Sequence, residues 1–490
     1  MSKQHPLLYN EKIIYDYNKK GSVGVDLPET KNVKTRTGLP ARKNIGLPEL
    51  SEPEIIKHFT RLSKLNYSID TGIYPLGSCT MKYNPKFNDK IANMAEFTDI
   101  HPLQDESSVQ GALEAMYIMQ KYLAELSGLP HVTLSPAAGA HGELAGLKVI
   151  QKAHQNAGRE KMTVIIPDSA HGTNPATAAM CGYSITTIKS NKNGMVDVEI
   201  LSNAINANTA AVMLTVPSTC GVFDADILQI SNIIKKAGAY LYCDGANFNA
   251  MVGKIKPADF GTDVMHFNLH KTFSTPHGGG GPGCGPLAVS EELKNFLPIP
   301  YVVKKLRKYS LVTKKKNSAG RLKAFHGHFT VIVRALAYIM SCGLDGLKQV
   351  SEDALLNANY ILYKLQKHYH VPFGKTCAHE CLITDAKQRK YGITANHIAK
   401  TLIQNGIHPM TIYFPLIVNG AMLIEPTETE NKESLDNFIA TMIKIAKQAE
   451  MGEKENLLIN PTNTPVQAVN ETLAARNPKI VRELTCLATE

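Results

Sequence analysis

A lysine that follows an apolar run is the residue of this sequence best suited to covalent chemistry. The run Val264–Leu269 is typical of a buried strand, and His270 and Lys271 follow it directly. A partly desolvated lysine beside a second potential cation has a lowered pKa, which makes its amine a usable nucleophile. Lys271 is therefore a candidate for a Schiff base, although a lysine taken by itself is more often a solvated residue at a strand end.

A carboxylate upstream could cooperate with this lysine. Asp244 ends the predicted strand Tyr240–Asp244, and Asn247 follows shortly after it. A carboxylate in this position can hold a pyridine nitrogen protonated, as the electron-sink chemistry of pyridoxal phosphate requires. Because Asp before Gly is also common in plain turns, Asp244 is informative only together with its neighbours.

Two further segments could complete a cofactor site. Ala138, Gly139 and Ala140 lead from a predicted strand into a helix, so backbone N–H groups there can approach a phosphate. His171 follows the next predicted strand, where an imidazole can stack on a flat ring. Each segment taken alone could equally be a helix cap and turn. Four such groups, each directly after a predicted strand, favour a single pyridoxal phosphate site.

Apolar runs that alternate with helix-like stretches from about residue 130 to 290 predict an α/β domain with a largely parallel sheet. Ligands of such sheets bind beyond the carboxyl ends of the strands, which is where the candidate residues lie. The predicted strands are His131–Leu134, Thr163–Pro167, Ser184–Ile188, Ala211–Val216, Tyr240–Asp244, Val264–Leu269 and Gly285–Val289.

The pattern changes after residue 325, where apolar residues recur at steps of three and four along a long helix. Predicted strands at Cys381–Thr384 and Met422–Glu425, with helices near Ala395–Gln404 and beyond Leu435, indicate a smaller α+β domain. We predict four segments: an amino-terminal arm at 1–60, a large cofactor-binding domain at 61–325, a small carboxyl-terminal domain at 326–452, and an extended tail at 453–490.

Composition excludes several classes of protein. The chain has 490 residues, of which 43% are hydrophobic and 20% charged, values typical of a globular protein with more than one core. The apolar stretch Phe329–Leu344 is interrupted by Arg334 and is shorter than the ~20 residues that a bilayer requires, so we expect no membrane span. The first 20 residues resemble neither a signal peptide nor a transit peptide, and we expect a cytoplasmic protein.

Nine scattered cysteines, an odd number with no Cys-x-x-Cys pair, indicate reduced thiols rather than a disulfide framework or a structural zinc site. Cys377 and Cys381, with His379 between them, could be part of a metal site. A closed zinc site needs four ligands, however, and we predict no metal.

Several long motifs resemble one known family. The runs 47–54, 68–72 and above all 74–85, which reads Tyr-Pro-Leu-Gly-Ser-Cys-Thr-Met-Lys-Tyr-Asn-Pro, are similar to the amino-terminal signatures of the glycine-cleavage P-protein, glycine dehydrogenase (decarboxylating). His270-Lys271 resembles its cofactor lysine. The likeness runs over most of the chain and is greatest to the second subunit of enzymes that are split into two chains.

This resemblance implies a fold-type I pyridoxal phosphate enzyme, similar in architecture to aspartate aminotransferase, with its cofactor on Lys271. It implies that glycine loses carbon dioxide and that the aminomethyl group passes to the lipoyl group of H-protein. Lys271 with His270 or His171 would move the proton, and Asp244 would hold the ring nitrogen. The predicted cofactor-binding residues are Lys271, Asp244, His171, Ala138, Gly139, Ala140, Asn247 and Thr272. Ser78, Thr80 and Lys82 become candidates for the entrance of the active site.

The resemblance also implies partners. Single-chain members of the family are about twice as long, so this chain corresponds to their second half. We predict a heterotetramer of two such chains with two copies of glycine dehydrogenase subunit 1, and docking of lipoylated H-protein.

Two alternatives to this function remain open from the sequence. One is another fold-type I enzyme, such as an amino-acid decarboxylase, a lyase or a desulfurase, although no cysteine stands out as that of a desulfurase. The other is a basic nucleic-acid-binding protein, because residues 301–323 hold nine Lys and Arg residues without an acid, close to the whole net charge of +10. A solvated loop or a docking face for an acidic carrier protein explains this run better, so we expect no nucleic acid as partner.

Overall fold

The computed structural model describes residues 11–28, 46–278, 283–465, 469–478 and 480. The chain divides into two compact units, one formed by residues 72–458 and the other by the described parts of 1–71 and 459–490. The larger unit contains every predicted site residue.

Seven strands form the central sheet of the larger unit. They are β1 (His131–Thr133), β2 (Thr163–Pro167), β3 (Ser184–Ile188), β4 (Thr209–Thr215), β5 (Tyr240–Gly245), β6 (Val264–Phe267) and β7 (Leu287–Val289). Their spatial order is β1-β7-β6-β5-β4-β2-β3. Strands β2 to β6 pair in parallel, whereas β7 is antiparallel to both of its neighbours, so the sheet is mixed.

The sheet is buried on both faces, as its near-continuous apolar strands predict. Along β4, Val212 and Leu214 belong to one hydrophobic core, whereas Ala211 and Met213 belong to another. Helices cover both faces. The helices are α1 (Glu52–Ser63), α2 (Lys86–Ala92), α3 (Ala95–Thr98), α4 (Gln110–Ser127), α5 (Gly139–Asn156), α6 (Thr173–Met180), α7 (Val198–Ala204), α8 (Ile227–Lys236), α9 (Leu269–Thr272), α10 (Phe329–Leu365), α11 (Ala386–Arg389), α12 (Ala395–Gln404), α13 (Lys432–Glu450), α14 (Lys454–Ile459) and α15 (Glu471–Arg476).

Further short elements connect these helices and strands. A two-stranded hairpin is formed by β8 (Tyr301–Lys305) and β9 (Lys308–Val312). Turns of 3-10 helix cover Ile14–Tyr17, Glu106–Ser108, Phe248–Ala250, Pro257–Phe260 and Glu291–Phe296.

A second, smaller sheet follows the long helix α10. Its strands are β10 (Cys381–Thr384), β11 (Thr411–Ile412) and β12 (Ala421–Ile424), in the antiparallel order β10-β12-β11. A separate hydrophobic core, which includes Ile383, Met422 and Phe438, joins this sheet to α10, α12 and α13. This is the predicted small α+β arrangement, whereas the exact domain boundaries at 60, 325 and 452 remain a prediction.

Helix α10 extends well beyond the apolar stretch Phe329–Leu344 with which it begins. It runs for 37 residues and contains a break at Gly343, whose φ of 62° is outside the helical region. By length and composition it could cross a membrane, but half of its most apolar window is buried inside the protein. Its buried residues contribute to two of the cores, and core helices of this kind pass the same test.

Most predicted strands are confirmed to within two residues, but several irregular segments differ from expectation. The predicted strand Val264–Leu269 ends at Phe267, and His270 and Lys271 lie on the one-turn helix α9. The basic run 301–323 is not simply a loop, because it begins with the β8–β9 hairpin.

The two termini also contain more helix than predicted. Helix α1 begins within the predicted arm and continues past residue 60 to Ser63. Ser51 and Glu54 form its capping box, and Pro53 occupies its first turn. The tail contains α14 and α15, the latter capped by Asn470. Residues 1–10, 29–45, 466–468, 479 and 481–490 of these predicted segments lie outside the described residues.

The close approach of α5 to the sheet gives a test of the packing. A Cβ atom on Gly146 would lie 2.4 Å from Tyr242 Cε2 and 2.8 Å from Val264 Cγ1. Gly146→Ala should therefore lower the free energy of unfolding by ~1–3 kcal/mol through overpacking, measured by urea denaturation. The matched control is Gly111→Ala on α4, where nothing lies within 4 Å of the added atom. Equal stability of the two variants would contradict this packing.

Candidate active site

The candidate residues meet at one edge of the central sheet, where the carboxyl ends of its parallel strands lie. Asp244 is the penultimate residue of β5, and Lys271 lies on α9, directly after β6. His171 lies between the end of β2 and the start of α6. These strands pair in parallel, so their carboxyl ends lie at the same edge of the sheet, as the sequence predicted.

The amine of Lys271 is held by a backbone carbonyl from a distant part of the chain. Its Nζ donates a hydrogen bond to the Ser78 carbonyl oxygen at 2.8 Å. Ser78 and Thr80 have positive φ values of 66° and 48°, which are unfavourable for residues with side chains. The loop that carries them must therefore be fixed by its surroundings.

Two buried glutamates next to the small sheet fix this loop. The backbone N–H of Ser78 donates to Glu380 Oε2 at 2.7 Å. The backbone N–H of Thr80 donates to Glu425 Oε2 at 2.9 Å, and its hydroxyl donates to Glu425 Oε1 at 2.5 Å. Both glutamates are fully buried. Burial, followed by the charge of Glu425, raises the pKa of Glu380 far above its ordinary value.

Lys82 closes the other end of this loop. Its Nζ donates to Glu428 Oε1 at 2.7 Å and to Asn249 Oδ1 at 2.8 Å, and only 3% of the residue is exposed. Thr80 is also buried. Both residues tie the loop to its supports, and their place at an entrance stays a prediction.

Asp244 is a buried carboxylate with several fixed donors. It accepts hydrogen bonds from Asn174 Nδ2 at 3.0 Å and from the Ala246 backbone at 2.9 Å, and His266 Nε2 lies 3.3 Å from its Oδ1. Burial alone would raise the pKa of Asp244, but His266 and these hydrogen bonds outweigh burial and lower it. Asp244 therefore carries a negative charge, as binding a protonated ring nitrogen requires.

The predicted phosphate cradle is the amino terminus of the 18-residue helix α5. Ala138 is its N-cap and Gly139 its first residue. A Cβ on Gly139 would lie 2.5 Å from Asn268 Oδ1, so only glycine fits there. The N–H groups of such a terminus favour an anion.

Buried polar atoms near these residues lack partners. Asn268 Oδ1, Thr272 Oγ1 and Asn247 Oδ1 are buried and accept or donate no hydrogen bond within the described residues. Orphaned buried polar atoms are costly unless a ligand satisfies them. Sequence reasoning missed Asn268, whose signal was its place directly after β6. Asn247 is tied by its Nδ2 to the Pro217 carbonyl at 2.9 Å.

The two predicted proton-transfer histidines differ in exposure and in their hydrogen-bond partners. His171 is exposed at the sheet edge, with its Nδ1 2.9 Å from Thr173 Oγ1 and its ring centroid 5.8 Å from that of Phe414. His270 is instead packed against His277, with ring centroids 5.1 Å apart, and its Nδ1 accepts from the Cys284 N–H at 3.3 Å. Burial, followed by the charge of His277, lowers the pKa of His270 to about 3.

A cluster of His379, Glu380 and Glu425 was also missed by sequence reasoning. Their potential ligand atoms lie within 4.8 Å of one another, and neither nitrogen of His379 has a hydrogen-bond partner among the described residues. The sequence analysis considered His379 only as a possible metal ligand together with Cys377 and Cys381. Both cysteines are free, and the potential ligands next to His379 are the carboxylates of Glu380 and Glu425.

The chemistry of these residues fits pyridoxal phosphate. The cradle suits a phosphate, Asp244 suits a protonated ring nitrogen, and Lys271 supplies a primary amine at the same edge. A mixed seven-stranded sheet with such a site, followed by a small α+β domain, defines a fold-type I pyridoxal phosphate enzyme.

Comparison with known proteins narrows this class. A sequence profile for the C-terminal domain of glycine dehydrogenase matches residues 350–468, and one for class-V aminotransferases matches residues 142–408. A Listeria monocytogenes protein named probable glycine dehydrogenase (decarboxylating) subunit 2 is 50% identical over 477 residues, which cover 95% of this chain and 97% of that protein. A Caulobacter vibrioides protein of the same name is 48% identical, over 97% of this chain and 92% of its own length. The chain belongs to the family of glycine dehydrogenase (decarboxylating) subunit 2 proteins.

Solved structures agree on the fold. The crystal structure of glycine decarboxylase (P-protein) of the glycine cleavage system, in inhibitor-bound form, superposes with a TM-score of 0.70 at 19% identity, covering 84% of this chain and 92% of that chain. A NifS-like protein superposes with a TM-score of 0.60 at 14% identity, covering 77% and 99%. At these identities the likeness establishes the fold alone.

The buried imidazoles generate a pH prediction. Relative to the ordinary histidine value of 6.5, the pKa of His270 is lowered to about 3 and that of His277 to about 4. Between these values and 6.5 the unfolded chain binds more protons than the folded chain, so stability falls as the pH falls. His270→Asn should reduce the pH slope of the unfolding free energy by about 1.4 kcal/mol per pH unit near pH 5.

The measurement is urea denaturation of the cofactor-free protein at several pH values. Above pH 7 the slopes of variant and wild type should coincide. An unchanged slope near pH 5 would show that His270 is protonated in the folded state.

Proposed function

We propose that this chain carries out glycine decarboxylation and transfers the aminomethyl group to the lipoyl group of H-protein, with pyridoxal phosphate bound covalently to Lys271. The single observation that carries the proposal is the pairing of Lys271 and the ionised Asp244 at one sheet edge. The names of relatives that are about 50% identical supply the reaction and its substrate.

The residues of the chain divide the work. When bound, pyridoxal phosphate supplies an electron sink for the bond that breaks. Asp244 keeps the ring nitrogen charged, and the start of α5 with Ala138, Gly139 and Ala140 binds the phosphate. The buried hydroxyl of Thr272 and the amide of Asn247 offer further polar contacts to the cofactor.

Lys271 and the histidines handle protons. With pyridoxal phosphate bound, Lys271 would hold it, and the Ser78 carbonyl, which lies 2.8 Å from Nζ, would accept a hydrogen bond from the lysine amine once glycine has displaced it. His171 is the exposed imidazole at this edge and is positioned to stack on a ring or to move a proton. His270 has its Nδ1 committed to the Cys284 N–H, so we assign it a supporting role.

Transfer to the lipoyl group balances the reaction. With pyridoxal phosphate bound, loss of carbon dioxide would leave an electron pair on the aminomethyl carbon. This carbon would bond to one sulfur of the lipoyl disulfide while the S–S bond breaks and the other sulfur takes up a proton. The glycine carbon is thereby oxidised and the lipoyl group reduced. Among fold-type I enzymes, family membership favours this reaction over that of a desulfurase or another lyase.

A partner subunit follows from the second-subunit name of the relatives. We propose a heterotetramer of two such chains and two copies of glycine dehydrogenase subunit 1, in the cytoplasm. The eight cysteines within the described residues are all free, which supports a reducing compartment.

The β8–β9 hairpin is the proposed docking face for H-protein, an acidic carrier. Residues 304–308 at its tip are all exposed, and Leu306 is 97% exposed between two cations. A cleft of about 550 Å³ lies beside the hairpin, and its lining includes Lys121, Lys294 and Lys304. Clustered cations of this kind attract an acidic partner over long range.

Exchange of labelled carbon dioxide with the glycine carboxyl group tests the reaction. The chain co-purified with subunit 1 should catalyse this exchange, and Lys271→Ala should abolish it because no other described amine occupies the position. The chain alone should exchange poorly, and light scattering of the complex should give the mass of two chains of each kind. Exchange by Lys271→Ala, or full activity without subunit 1, would overturn the proposal.

Charge removal tests the docking face. Neutralising Lys304, Lys305, Arg307 and Lys308 together should raise the Michaelis constant for H-protein roughly tenfold at low salt. The remaining salt dependence should flatten, because such attraction is screened within ~8 Å at physiological ionic strength.

The matched control removes four exposed lysines elsewhere, namely Lys189, Lys192, Lys235 and Lys236. It should leave the Michaelis constant for H-protein unchanged. Equal effects of the two variants would show that net charge, rather than the hairpin, governs the encounter.

A further inference from the structure

A second buried carboxyl group lies beside Asp244, and the reaction described above does not use it. Glu143 is on α5, one turn beyond the phosphate cradle, and is only 3% exposed. One of its oxygens lies within 4.8 Å of both the Asp244 carboxylate and a nitrogen of His266. Two negative charges in so small a buried volume would repel strongly.

An amide shared by the two carboxyl groups restricts where a proton can be. Asn174 Nδ2 donates to Glu143 Oε2 at 3.1 Å and to Asp244 Oδ2 at 3.0 Å. An amide nitrogen has two hydrogens and cannot accept, so both of these oxygens must be acceptors. A proton on Glu143 must therefore be carried by the other oxygen, Oε1.

Glu143 Oε1 reaches His171 through one hydroxyl group. Thr173 Oγ1 lies 2.8 Å from Glu143 Oε1 and 2.9 Å from His171 Nδ1. The Thr173 backbone N–H also points to Nδ1, at 3.2 Å, which favours an unprotonated Nδ1. The hydroxyl has only one hydrogen, so it satisfies both neighbours only if one of them brings a proton.

The electrostatics indicate whether Glu143 or His171 carries this proton. Burial, followed by the charge of Asp244, raises the pKa of Glu143, while the pKa of Asp244 is lowered. The titratable groups that face Glu143 are Asp244 and Tyr242 on β5 and His266 on β6. The one negative charge of this cluster therefore belongs to Asp244.

We propose that Glu143 is a positioning residue, which as a neutral acid donates from Oε1 to Thr173 and so directs the Thr173 hydroxyl to His171 Nδ1. The imidazole of His171 is then neutral, with its hydrogen on Nε2. The role of His171 toward the cofactor rests on the proposed function. The tautomer of His171 is inferred from its hydrogen bonds alone and is independent of that function. In this arrangement Asp244, rather than Glu143, is the anion available to a ring nitrogen.

The test is made on the cofactor-free protein, so its outcome is independent of any glycine activity. Histidine labelled with ¹⁵N, assigned by the loss of one signal in His171→Asn, should report the Nε2–H tautomer at neutral pH. Infrared difference spectra between wild type and Glu143→Gln should contain the C=O band of one protonated carboxyl group. An imidazolium, an Nδ1–H tautomer, or no such band would overturn the proposal.

Substitutions separate a neutral acid from an anion. Glu143→Gln can donate to Thr173 and accept from Asn174, so the His171 signals should be retained, with pyridoxal phosphate affinity within about twofold of wild type. Glu143→Ala leaves Asn174 Nδ2 without one of its acceptors and the Thr173 hydroxyl without its donor, and it should weaken that affinity about tenfold. A shift of the His171 signals in Glu143→Gln to another protonation state would mean that the wild-type residue is ionised.

Discussion

The site depends on one buried negative charge, the carboxylate of Asp244. An ionised carboxylate removed from water is tolerated only where fixed donors replace its hydration. Those donors come from different elements: Asn174 from α6, Ala246 from the turn after β5, and His266 from β6. The parallel pairing of β2, β4, β5 and β6 brings these elements together, so the strand order places the donors around Asp244.

A second constraint comes from the small sheet. Glu380 and Glu425 hold the backbone of Ser78 and Thr80 in a conformation that residues with side chains disfavour, and the Ser78 carbonyl holds Lys271. The Lys271 amine is thus positioned by the central sheet together with the small sheet. This explains why the run 74–85 is largely covered, with every residue except Tyr83 buried or half-buried.

Sequence reasoning located what depends on local pattern. The strands, Asp244 and the start of α5 followed from apolar runs and from the residues directly after them. The contacts that sequence reasoning missed join residues that are distant in the chain. Glu380 is 302 positions from Ser78, and no periodic pattern in the sequence indicates that these two residues meet. His270 was assigned by its neighbour Lys271, but adjacent side chains on a short helix point in different directions. The helix α1 was missed although its capping box was readable.

The proposed function depends on a covalent bond between Lys271 and pyridoxal phosphate. Borohydride reduction of the purified, cofactor-loaded protein, followed by proteolysis and mass spectrometry, identifies the modified lysine. The structure predicts one phosphopyridoxyl group, on the peptide that contains Lys271. A group on any other lysine, or none on a protein with a bound cofactor, would contradict it.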